Sequence, residues 1–207
     1  MIDNLTAETL KSEYISLLRS TNRKNIENVI DWLTNKSDFF TAPSSTAFHG
    51  NHKYGLLMHS MNVYRVANEI YNSIIKLKPD ASITPENIII ASLLHDICKC
   101  NFYKEKTKWR KDENNRWEEY QGYEIVDAFP YGHGEKSVLF LQMLGLEMDI
   151  SEMLAIRWHM GSWDGALLQN EAKFAYSTAC EKYPICSIIQ CADNMASMIL
   201  ETTLNKK

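Results

Sequence analysis

Apolar residues recur at spacings of three and four along most of the chain, the period of one face of an α-helix. The pattern predicts helices near 5–19, 23–35, 56–78, 85–98, 134–145, 151–161, 170–182 and 184–204. Thr84 ahead of Pro85 and Glu86 reads as an N-cap followed by proline at the first helical position, and Ser151 and Asn170 read as caps of the helices they precede. One stretch departs from the period: FYKEKTKWRKDENNRWEEYQGYEIVD, 102–127, partly alternates aromatic and charged residues around Asn114-Asn115. That alternation about a turn predicts a β-hairpin inserted between helices. The expected class is all-α with one inserted hairpin. With no internal repeat and no Pro-, Gly- or Ser-rich linker, 1–207 reads as one domain.

Several polar residues fall on the apolar stripes. In 56–78, His59 lies on one face with Val63, Val66, Ile70, Ile74 and Leu77; in 184–204, Asp193 shares a face with Ile189, Ala196 and Leu200. His159 shares a face with Ala155 beside Met153 and Ile156, so it too points inward. His95 and Asp96 close the apolar run IIIASLL. Adjacent residues lie about 100° apart on a helix, so this pair serves one ion only if the ion sits between them near the helix end, expected by Lys99. His133, between Gly132 and Gly134, stands where a loop turns into a helix.

A buried carboxylate without a partner is costly, and one inward histidine is ordinarily a hydrogen-bonded core group. Four histidines and two aspartates from five segments need a common explanation, and a metal centre supplies one. Six ligands exceed what one tetrahedral ion uses; two ions about 3.5–4 Å apart, bridged by a carboxylate, would use them all.

Composition narrows the surroundings of such a site. The 207 residues are 45% hydrophobic and 23% charged, as in an ordinary globular protein, and a net charge of −4 gives no global attraction to nucleic acid or anionic membrane. No stretch approaches the roughly 18 apolar residues of a membrane span and the N-terminus lacks a signal-peptide pattern, so a cytoplasmic location is expected. Cys98, Cys100, Cys180, Cys186 and Cys191 are odd in number and mostly in apolar helical context, so they are read as reduced core thiols; C-x-C without a second pair is a weak signal for zinc.

The ordered set GLLMHSMNV, ASLLHDICK, YGHGEKS, RWHMG and CADNMAS, over about 45–200, resembles the HD-domain superfamily of metal-dependent phosphohydrolases. FHGNHKYGLLMHS is further similar to the HD module of bacterial exoribonucleases that pair it with an OB-fold, although no OB-fold is expected here. The resemblance implies an HD-domain helical bundle, with His59, His95, Asp96 and Asp193 as the ligands common to the superfamily. It implies His133 and His159 as the extra ligands of dinuclear members, Asp96 as the bridge and Lys99 as the cation facing the substrate phosphate.

The implied reaction is hydrolysis of a phosphomonoester or phosphodiester of a nucleotide or nucleic-acid end, by water activated between two divalent metals. Imidazole with carboxylate suits manganese, iron, cobalt, nickel or zinc better than magnesium alone. Two rivals are an HD-type di-iron oxygenase that cleaves a C–C or C–P bond, and a non-catalytic nucleotide-binding protein. Lys136 joins Lys99 as a candidate substrate contact, whereas His49 and His52 are read as loop residues first and substrate contacts second. Lys104, Lys106, Lys108, Arg110 and Lys111 beside Trp109 could hold a nucleic-acid backbone, but the expectation is a solvated hairpin paired with Glu118 and Glu119.

Overall fold

The computed structural model describes residues 3–47 and 50–202. In chain order it holds α1 (Asn4–Ser20), α2 (Ile26–Asn35), α3 (Gly55–Leu77), α4 (Pro85–Leu94), β1 (Tyr103–Lys111), β2 (Trp117–Ile125), α5 (His133–Met143), α6 (Ile150–Trp158), α7 (Asn170–Lys182) and α8 (Ile185–Met195). Among the described residues the two strands are the only sheet, an antiparallel hairpin, so the helical bundle with its inserted hairpin is as expected.

Helix α4 organises the bundle. Every residue from Asn87 to Leu94 is buried, the mark of a helix enclosed on all sides, and it packs on α1, α3, α6 and α8. Ile88, Ile90, Leu93 and Leu94 are fully buried, each worth about 1.5–3 kcal/mol relative to exposure. Thr84 caps α4 as expected, in a capping box with Asn87. The cap of α6 is Asp149 rather than Ser151: its carboxylate accepts from the Glu152 amide, and the Glu152 carboxylate accepts in return from the Asp149 amide at 3.0 Å. The cap of α7 is Gln169, and Asn170 is already helical.

The two capping boxes are knotted together. Asn87 Nδ2 donates to Glu152 Oε1 at 2.9 Å and to Asp149 Oδ2 at 2.8 Å, while Arg23 Nη2 reaches Glu152 at 2.5 Å. Glu152 is fully buried, so Arg23 supplies the charge that its burial requires.

Three helices differ from the periodic pattern at their C-termini. Helix α4 stops at Leu94, four residues before the expected end, and a 3-10 turn follows at Ile97–Lys99. Helix α6 stops at Trp158, not 161. Helix α8 passes into a π-helical turn at Ala196–Leu200, which leaves Leu200 exposed instead of inward; 203 and 204 lie outside the described residues.

In the hairpin, Asp112 Oδ1 accepts from the amides of Asn114 and Arg116 at 2.8 Å, closing the turn at Asn114-Asn115. One face carries Lys104, Lys106, Lys108 and Arg110, of which Lys106 pairs with Glu124 and Arg110 with Glu118. Trp109 and Trp117 lie on the other face, both well exposed. Among the described residues no helix is long and apolar enough to cross a membrane.

Candidate metal centre

All six candidate ligands converge at the C-terminal end of α4. His95 and His159 occupy equivalent positions, each the residue after the last of its helix, α4 or α6, each still in helical conformation. Each ring donates from Nδ1 to the carbonyl three residues back, Ser92 at 2.7 Å and Ile156 at 2.6 Å. Those carbonyls belong to the last turn, where no intrahelical donor remains. The bond fixes both tautomers and leaves both Nε2 lone pairs facing the centre.

Asp96 follows with φ −104° and ψ 17°, outside the helix. This break turns two adjacent side chains towards one point, with Asp96 Oδ2 at 3.4 Å from His95 Nε2. The same oxygen lies 3.5 Å from His59 Nε2 and 2.7 Å from Lys99 Nζ. The other oxygen, Oδ1, lies 2.8 Å from His133 Nε2 and 3.6 Å from His159 Nε2. On the Oδ2 side, His59 Nε2 is 3.3 Å from His95 Nε2 and 3.2 Å from Asp193 Oδ1.

His133 opens α5, and its placement depends on Gly134. A Cβ at Gly134 would lie 2.2 Å from the Arg157 carbonyl oxygen, so glycine permits the close approach of α5 to α6 that sets the His133 and His159 rings 5.2 Å apart. The glycine serves packing here, not a left-handed turn.

The sequence reading missed Glu201, whose oxygens lie 3.1 Å from His59 Nδ1 and which also accepts from Asn62 Nδ2 at 3.0 Å. A carboxylate there orients the ring and strengthens its Nε2 as a donor. Eight α-helical residues would put Glu201 about 80° around the helix from Asp193. The extra residue of the π-turn takes up about 100°, which brings Glu201 to the side of Asp193 and turns Leu200 outward.

The electrostatics are those of a site short of cations. Burial pushes the Asp96 carboxyl up, but Lys99, His95, the bond from His133 and the nearby His159 ring outweigh it and hold it well below the usual range. Burial likewise opposes ionisation of Asp193, and His59 overrides it. Burial favours neutral His59, yet Asp193 and Glu201 raise its pKa to about 10. Burial lowers His133 below the ordinary histidine value, with Asp96 only partly compensating. The Cys98 thiol, 3.5 Å from His133 Nδ1, is pushed up to about 12, by burial first and the Asp96 charge second.

Among the other sequence-selected residues, Lys99 is mostly buried and bound to Asp96, its pKa raised because that carboxylate outweighs its burial. Lys136 is also buried, its ammonium held by both Asp127 oxygens at 2.7 Å and lying against the Phe102 ring. His52 is partly exposed in the loop before α3, its Nδ1 2.9 Å from the Lys53 carbonyl; His49 lies outside the described residues. Tyr103, at the start of β1, bonds the Ser44 carbonyl at 3.3 Å and lies close enough to Lys99 for its charge to act on the phenol.

The donors fit cations. His159 Nε2 is buried with no hydrogen-bond partner, and the Nε2 atoms of His59 and His95 face each other at 3.3 Å, an arrangement that needs a proton or a cation between them. Three overlapping groups have donor atoms within 4.8 Å of one another: His59, His95 and Asp193; His95, Asp96 and His159; and Asp96, Cys98 and His133. No curated protein and no solved structure gives a significant match to the chain. The family model for the HD domain, whose members are generally metal-dependent hydrolases, matches residues 56–198, from the start of α3 to the π-turn, and contains all six converging residues. The chain belongs to the HD-domain family.

Proposed function

We propose that the centre holds two divalent transition-metal ions and hydrolyses a phosphomonoester or phosphodiester, of a nucleotide or a nucleic-acid end. The observation that carries this reading is the Asp96 carboxylate, whose Oδ2 turns to His59 and His95 while Oδ1 turns to His133 and His159. That is the disposition of a bridging ligand. His59, His95 and Asp193 would hold one ion, His133 and His159 the other, and Asp96 both. The mixed imidazole and carboxylate set suits manganese, iron, cobalt, nickel or zinc.

When bound, such ions lower the pKa of a shared water towards neutrality and offset charge developing on phosphate oxygens. The chain's own residues do the rest. The Ser92 and Ile156 carbonyls and Glu201 keep the protons of His95, His159 and His59 on Nδ1, so each Nε2 stays available. Lys99 is the cation we place against the substrate phosphate; its ion pair with Asp96 holds it at the edge of the ligand set. Lys136 and His52 would be further substrate contacts.

The test is metal content measured beside the hydrolysis rate on phosphomonoesters and phosphodiesters, for the wild type and His133→Ala. Two ions per chain in the wild type, and one ion with most of the turnover lost in the variant, are expected. A one-ion variant with undiminished rate would refute the two-metal mechanism. Inertness towards phosphoesters under every metal tried would refute the hydrolase.

A further inference from the structure

We propose that the hairpin of β1 and β2 is a docking face for single-stranded nucleic acid, which it leads by one end to the metal centre. The inference deepens the reading above and rests on it for the phosphate that meets Lys99; it takes up a hairpin that the hydrolytic site leaves unused.

The hairpin rises from the mouth of the centre. Of the converging side chains, His133 keeps 32% of its surface exposed, Asp193 18% and Lys99 13%, whereas His59, His95, Asp96 and His159 keep 2% or less. Both ends of the hairpin are fixed beside that opening. Tyr103 opens β1 shortly after Lys99 and bonds the Ser44 carbonyl at 3.3 Å; Asp127, just beyond β2, holds Lys136, which lies one turn after His133 in α5.

The register sets the chemistry of each face. Opposed residues of an antiparallel pair share a face, so Tyr123 opposite Glu105, Trp109 opposite Glu119 and Trp117 opposite Lys111 stand in one row with Tyr103. Trp109 is 61% and Trp117 66% exposed, and at about 3.4 Å per residue they stand about 20 and 27 Å from the level of Tyr103. Indole rings left in water along an extended ribbon are platforms on which successive unstacked bases pack. A mononucleotide bound at Lys99 falls short of both rings, whereas a strand of several nucleotides spans the distance.

Charge selects nucleic acid over an apolar partner. Lys111 Nζ lies over the Trp117 ring at 5.8 Å, and at the root Lys53 Nζ lies over the Tyr54 ring at 4.8 Å, near Tyr123 and Glu105. These two cations match the two carboxylates of the aromatic row, Glu105 and Glu119. On the opposite face Arg110 and Lys106 take up Glu118 and Glu124, which leaves Lys104 and Lys108 without an ion pair among the described residues. Among those residues the outer edge of β1 is also unpaired. A strand whose bases stack on the aromatic row lays its phosphates along that edge, between the two free lysines and Lys111.

The test is fluorescence anisotropy with labelled oligonucleotides of about a dozen nucleotides, inside the roughly 4–16 that such sites cover, on the full chain kept in chelator so that no turnover intervenes. Saturable binding of single strands, tighter than that of a blunt duplex of the same sequence, is expected. Trp109→Ala and Trp117→Ala should each weaken it about 5- to 150-fold. Lys104→Ala and Lys108→Ala should each make the dependence of log affinity on log salt shallower by about 0.7. Crosslinking of a thiouridine-bearing strand to the wild type needs no variant to fold and should mark peptides within β1 and β2. No saturable binding, unchanged affinity in both tryptophan variants, or crosslinks confined to other segments overturns the proposal, as does a dimer that buries these tryptophans in place of the complex. Turnover keeps the two readings separate: hairpin-dependent binding with inertness under every metal removes the hydrolase and leaves the surface, whereas hydrolysis without hairpin-dependent binding removes the surface and leaves the hydrolase.

Discussion

Two polar clusters lie inside this bundle, and they are built on opposite terms. The knot of Asn87, Asp149, Glu152 and Arg23 gives each Glu152 oxygen a donor from within the chain. The centre around Asp96 gathers three carboxylates, Asp96, Asp193 and Glu201, with Lys99 as its lysine, and leaves His159 Nε2 without a partner. Burial is common to both, so burial does not separate structure from function. The balance of donors and acceptors does: a set that closes on itself holds helices together, and a set with surplus lone pairs awaits an ion.

The sharpest break of that comparison is Asp96→Ala. Losing the shared carboxylate should remove both ions and take hydrolysis to background, while the helical circular-dichroism signal remains; a variant that kept two ions would mean Asp96 does not bridge. Glu152→Ala should do the converse. Leaving the partly buried Arg23 with only Asp149 at 4.0 Å, and Asn87 with one acceptor fewer, costs about 1–3 kcal/mol, a fall of roughly 2–12 °C in Tm, with metal content per folded chain unchanged. Loss of metal in Glu152→Ala would erase the distinction between the clusters.

Glu201→Gln tests how far the centre extends. Exchanging the carboxylate behind His59 for an amide should weaken the ion on that side about 10- to 100-fold without unfolding the chain, as measured by competition with a chelating dye. An unchanged affinity would confine the centre to the six residues.

The smallest effect is one of pH. His59 is raised from 6.5 to about 10, so in metal-free protein its proton is held more tightly when folded. The stability this contributes is fully present below about pH 6.5 and is lost as pH rises through about 10. Over the same window a metal competes with fewer protons and binds more tightly. Thermal melts of chelated protein should therefore fall with rising pH while metal affinity climbs; parallel trends would show that the His59 proton is not what an ion displaces.

How much of this was legible in the sequence depends on whether local rules or tertiary contacts set each feature. The helices followed from apolar periodicity, and the Thr84 cap and the Asn114-Asn115 turn from local side-chain chemistry. The ends of α4 and α6 did not, because His95 and His159 keep helical dihedrals and look like continued helix until their rings bond the final turns. The Asp149 cap was available from its spacing to Glu152, since Asp-x-x-Glu is a capping box and Ser151 offers no such partner. Glu201 was not available: at a constant period Leu200 holds the inward position, and only the π-turn exchanges them. The six converging residues were legible because each sat on an apolar stripe or a helix boundary with chemistry foreign to it.

The bond between His59 and Glu201 spans 142 residues of chain. At the roughly 5–20 residues per second of translation, Glu201 is synthesised on the order of ten seconds after His59. During that interval the emerging chain carries histidines and one aspartate but neither Asp193 nor the carboxylate behind His59. On the two-metal reading, selection of the ion on that side would be deferred to the last helix, and a metal met early, on a half-made chain, would be held without the two groups proposed to give it its final place.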